Sequence, residues 1–223
     1  MTFWRKVVAI TWKDALTELR TKEVIFTVLI FAVLVIVIFN FAFGATKETL
    51  ALVGPGILWV AFAFSGVLSL NRAFVSEKEG GCLEGLLAAP ISPEIIYIGK
   101  MLGSLLSLLV VEVVALVIFA LLFNLPVFTP ALLLITLLTT VGFVAVGTLF
   151  SALAVNTRAR DMVLPILFFP IVVPLIVSAV KASGLALNGG TWSEMAGWLQ
   201  IIGAFDIIFL VVSYLVFGIV IEE

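Results

Sequence analysis

The sequence predicts an all-α polytopic membrane protein: six transmembrane helices, an amphipathic N-terminal helix lying on the membrane, and a short cytoplasmic helix between spans two and three. Three observations lead there. Of 223 residues, 63% are hydrophobic and 12% charged, against roughly 45–50% and about 25% in an ordinary globular domain. The apolar residues fall in runs of about twenty, the length that crosses roughly 30 Å of hydrocarbon at about 1.5 Å per residue. The lysines and arginines gather at alternate ends of those runs. Residues 1–223 read as a single domain, with no internal repeat or low-complexity tract.

The first element, residues 1–23, is too charged to cross a bilayer and lacks the continuous apolar stretch of a cleavable signal peptide. Trp4, Val8, Trp12, Ala15 and Leu19 recur every three or four residues, so a helix here has one apolar face. Arg5, Lys6, Lys13, Asp14, Glu18 and Arg20 occupy its other faces. Such a helix suits the membrane surface, with Trp4 and Trp12 as interfacial anchors at headgroup level.

The spans follow as Val24–Ala45, Leu50–Leu70, Tyr97–Phe123, Ala131–Val155, Met162–Val180 and Trp198–Ile221. Gly54-Pro55-Gly56 predicts a break or bend near the outer end of the second. Pro165, Pro170 and Pro174 predict kinks in the fifth, where neighbouring helices can satisfy the freed carbonyls. Gly142, Gly147 and Ser151 on the fourth allow close helix approach, chiefly as ordinary bundle packing and alternatively as a homodimer seam.

Charge sets the orientation. The N-terminal segment holds Arg5, Lys6, Lys13, Arg20 and Lys22, the second-to-third loop Arg72, Lys78 and Lys100, and the fourth-to-fifth loop Arg158 and Arg160. Only Lys47 and Lys181 fall on the other side. Both termini are therefore expected in the cytoplasm.

On that side lies "SEKEGGCLEGLLAAPISPEIIYIGK", residues 76–100. Ser76 and Glu79 have capping-box spacing, and Gly80-Gly81 interrupts any helix begun there. Leu83, Leu86 and Leu87 then form a short apolar stripe that Pro90 ends, and Ser92-Pro93-Glu94 reads as N-cap, first-turn proline and first-turn carboxylate of the third span. An apolar stripe beyond the lipid is either a docking surface or a patch folded back on the protein's own helix ends.

Several chemistries are excluded. The chain has no histidine and one cysteine, Cys82, so histidine acid–base catalysis, histidine-ligated zinc or haem, and an intramolecular disulfide are out. No GxxxxGK[ST] phosphate loop occurs. The chain is not expected to be an enzyme, to hold a metal or cofactor, or to bind nucleic acid. Met101, Met162 and Met195 are read as gap-fillers, and Cys82 as an unreactive small side chain. Glu112, near the middle of the third span, and Asp206, in the outer half of the sixth, are costly in hydrocarbon. Each must face protein or a wet cavity, or be protonated. They are candidates for an intramembrane polar site or for interhelical glue, with Asn40, Gln200 and neighbouring serines and threonines as possible hydrogen-bond partners.

Residues 55–100, "PGILWVAFAFSGVLSLNRAFVSEKEGGCLEGLLAAPISPEIIYIGK", closely resemble the signature region of the CcmB family, haem exporter permeases of cytochrome c maturation. "WKDALTELRTKE", "LPILFFPIVVPLIVSA" and the closing "GAFDIIFLVVSYLVFGIVIEE" extend the resemblance over essentially the whole chain. It implies a type-2 ABC exporter fold in a bacterial-type inner (cytoplasmic) membrane, with a cytoplasmic coupling segment at residues 76–92. It implies a CcmA-like ATPase that carries the ATP and magnesium, a second copy of the chain, and CcmC-, CcmD- and CcmE-like partners. The complex would use ATP to handle haem and release haem-loaded CcmE. Docking on the ATPase would fall to Leu83, Leu86 and Leu87 in a cleft, and to Glu77 and Glu79 against basic residues. Two rivals stay open: an exporter of lipid, polysaccharide or drug on the same architecture, and a stand-alone secondary carrier. The carrier has less support, because no inverted repeat shows.

Overall fold

A peptide group in hydrocarbon must be satisfied by protein, within a helix or across a closed barrel, and every regular element described for this chain is a helix. The computed structural model describes residues 3–21, 23–43, 47–79, 85, 91–155 and 160–222. Among these lie seven helices: α1 Phe3–Thr21, α2 Glu23–Phe43, α3 Lys47–Glu79, α4 Pro93–Phe123, α5 Pro130–Val155, α6 Arg160–Leu187 and α7 Trp192–Glu222. Helices α2 to α7 are each long and apolar enough to span, so the chain is a multi-pass membrane protein.

Two helices run on where the sequence predicts an interruption. α3 passes through Gly54-Pro55-Gly56 without a break, with Pro55 packed against Gly184 of α6. α6 carries all three prolines inside one continuous helix. Gly54 and Pro55 are buried between helices, whereas Pro170 and Pro174 lie on the exposed side of α6, where their rings meet no neighbouring helix that a kink would have to accommodate.

Other boundaries have visible causes. α4 starts with Ser92 extended at the N-cap, Pro93 in the first turn and Glu94 just after, as predicted, although the Ser92 side chain makes no capping bond. The Thr129 hydroxyl accepts from the Leu132 amide at the start of α5. α6 continues past the expected end at Val180 and closes in a Schellman turn, Gly190 N donating to Leu185 O at 2.8 Å and Gly189 at φ +76°. α7 opens at Trp192 rather than Trp198, behind a capping box in which the Thr191 amide donates to Glu194 Oε2 at 2.7 Å.

α5 is the hub, packed against α6 and α7 and in touch with α3 and α4. Its span is 72% buried, whereas that of α2 is 17% buried. Buried polar bonds tie helix to helix. Trp59 Nε1 donates to Ser183 Oγ at 2.9 Å, Tyr97 Oη to Ala145 O at 3.1 Å, and Ser151 Oγ to Leu70 O at 3.0 Å. Such bonds contribute about 0.6 kcal/mol each in a bilayer. Gly147 faces Leu70, and Gly142 faces Asp206 and Phe205. The small residues of α5 thus serve packing inside the bundle.

Candidate functional site

α1 lies along α4, and the register of that contact is simple. Ile10, Asp14 and Glu18, four residues apart on α1, meet Gly99, Gly103 and Ser107, four apart on α4. A Cβ on Gly99 would come within 2.8 Å of Ile10, and one on Gly103 within 3.1 Å of the Asp14 Cβ. The two glycines therefore make the groove that α1 fills. Thr11 Oγ1 donates to Gly99 O at 3.1 Å, and Ser107 Oγ donates to Glu18 Oε2.

Beside the groove, Lys100 Nζ pairs with Asp14 Oδ2 at 3.1 Å, and Lys13 reaches Asp14 Oδ1 at 3.2 Å. The Lys100 side chain is 3% exposed and that of Asp14 18%, so the pair is held where water screens it little. Burial pushes the Glu18 carboxyl above its ordinary value; the Ser107 hydrogen bond opposes this, the Asp14 charge adds to it, and the Lys100 charge opposes it.

This arrangement adds a second, inward face to the reading of α1. Its buried side is Val7, Ile10 and the Asp14–Glu18 row, while Trp4, Val8 and Trp12 point away from the bundle. Periodicity finds the outward apolar stripe. It cannot show that two carboxylates on the opposite face turn inward, because their cation sits about ninety residues later. The matching four-residue spacing of Gly99, Gly103 and Ser107 was the available signal. Lys100 is also no loop cation, since α4 begins at Pro93 and encloses it.

The intramembrane acids are both buried, Glu112 at 4% exposure and Asp206 at 6%. They flank α5 on different sides. Glu112 meets Thr140, whose Oγ1 is 2.9 Å from both carboxylate oxygens. Asp206 lies against Gly142, and its Oδ1 has no hydrogen-bond partner among the described residues. Neither amide named from the sequence serves them: Asn40 Oδ1 is itself unpartnered and Gln200 is exposed. The structure does not bring the two acids to one described cavity.

Residues 76–92, which the resemblance implies as a coupling segment, are only partly described. α3 continues to Glu79, so Ser76–Glu79, with Glu77, form its final turn and not part of a separate loop. Leu83, Leu86 and Leu87, and Cys82 beside them, lie outside the described residues. Among the described residues no cluster of three metal-ligating side chains occurs.

The family model described as CcmB protein matches residues 5–222. Heme exporter protein B of Rhodobacter capsulatus is 33% identical over 168 residues, 72% of this chain and 76% of the relative. Heme exporter protein B of Pseudomonas aeruginosa is 30% identical over 77% of both chains, and that of Haemophilus influenzae 30% over 83% of both. The family match begins ahead of the α1 groove contacts and ends in the last turn of α7, taking in both buried acids. The chain therefore belongs to the CcmB family.

Proposed function

We propose that the chain is the permease subunit of an ABC complex in cytochrome c maturation, without an ATPase site of its own. A CcmA-like subunit hydrolyses ATP, and residues 76–92 receive its motion. Leu83, Leu86 and Leu87 fill a cleft on that subunit, and Glu77 and Glu79 pair with its basic residues. The work goes to haem handling and the release of haem-loaded CcmE, within an assembly holding two copies of this chain and CcmC- and CcmD-like proteins. Both termini are cytoplasmic, and α1 lies in the headgroup layer with Trp4 and Trp12 as anchors.

The family match across residues 5–222 carries this reading. The geometry adds a route for the motion. α4 begins at Pro93, immediately after the docking segment, and within two turns it is gripped by α1 through Lys100 and Asp14. Force arriving at residues 76–92 would thus reach the membrane-surface helix and the core of the bundle together.

Expression of this chain in a bacterium lacking its own CcmB tests the function. Recovery of c-type cytochromes, with a CcmA-like ATPase co-purifying, is the expected result. Failure of both under normal membrane insertion would overturn the assignment.

A further inference from the structure

Glu112 lines a small cavity with space for about one water molecule. α3 brings Trp59, Phe62 and Ala63 to it, α5 brings Thr140 and Phe143, and α6 brings Ile176. None of these side chains titrates. Among the described residues no charged group acts on Glu112 from α2, α5, α7 or any other helix packed against α4. The hydrogen-bond count is then decisive. Thr140 Oγ1 stands 2.9 Å from both Glu112 oxygens and 2.8 Å from the Thr136 carbonyl, yet a hydroxyl has one proton to give. An ionised Glu112 would spread about four acceptor sites over that single donor in a nearly dry site, the costliest way to bury a charge. A protonated Glu112 gives both protons an acceptor: its O–H donates to Thr140 Oγ1, and Thr140 donates onward to Thr136 O, so that only the uncharged carbonyl oxygen of the acid is left without a donor of its own.

We propose that Glu112 is an intramembrane proton-binding site, closed by a relay from its carboxylic acid through the Thr140 hydroxyl to the Thr136 carbonyl. The bound proton belongs to the packed arrangement of α3, α4, α5 and α6. Parting these helices would admit water, solvate the carboxylate and let the proton go. The site is thus a sensor of how tightly the core is closed, independent of which partner docks outside.

Infrared spectroscopy of the full chain in lipid nanodiscs at neutral pH reads this directly. Asp206→Asn serves as the background, so that the other buried acid contributes nothing. The expected spectrum shows the C=O stretch of a neutral carboxylic acid, shifted in D2O and absent after Glu112→Gln. Carboxylate bands in place of it, lost in the same variant, would overturn the proposal. Should Glu112→Gln fail to fold, Thr140→Val with Glu112 intact gives a second reading. Loss of the hydrogen-bond acceptor must then displace the acid band to higher frequency, and an unmoved band overturns the relay.

Discussion

Lys100 Nζ and Asp14 Oδ2 are 3.1 Å apart across the α1–α4 groove, joining two residues that stand eighty-six positions apart in the sequence. The pair sits over Gly103, whose missing side chain is what lets Asp14 approach. A groove built from glycine and an anchor built from charge are complementary. The first sets the distance and the second sets the register.

Removing the anion tests the anchor. Asp14→Asn keeps the shape and removes the carboxylate charge that stands 3.1 Å from Nζ of the 2%-exposed Lys100. The expected loss is about 1.5–3 kcal/mol, the range of a hydrogen bond between charged groups. Thermal unfolding in nanodiscs measures it, and an unchanged transition would show that the groove alone holds α1.

The docking of α1 should also depend on pH, through Glu18. Burial leads the upward shift of its carboxyl from the ordinary 4.5, so the docked state holds this proton more tightly than the undocked one. The contribution is fully present below pH 4.5 and is lost as pH rises through the elevated docked value. Hydrogen exchange of residues 3–21, corrected for the intrinsic rate, should show protection falling over that window. Glu18→Gln should flatten the profile.

On the far side of α5, a Cβ at Gly142 would collide with the Asp206 carboxylate. Gly142→Ala should therefore destabilise by about 1–3 kcal/mol, as overpacking does. Shortening the opposing side chain in Gly142→Ala/Asp206→Ala should recover part of that loss. A double-mutant cycle with no coupling would show that the two helices move apart freely.

The docking stripe is tested by charge. Leu86→Asp should abolish co-purification of the CcmA-like ATPase and leave membrane insertion intact. Retention of the ATPase at the wild-type level would remove the stripe from the interface.

The sequence by itself determined the helical class, the six spans and the amphipathic first helix. Hydrocarbon leaves a chain no other way to satisfy its backbone over twenty apolar residues. Start signals such as Ser92-Pro93-Glu94 were legible for the same local reason. The resemblance over residues 55–100 pointed to the family that the match over 5–222 established. Tertiary structure alone decided which faces meet. In a bilayer the outside of a helix is as apolar as its inside, so hydrophobicity does not separate the buried side of α2 from its lipid side. The inward turn of Asp14 and Glu18, the Thr140 partner of Glu112 and the seat of Asp206 on Gly142 each join residues distant in sequence. Those pairings are set by which helices pack together, and only the folded bundle makes that choice.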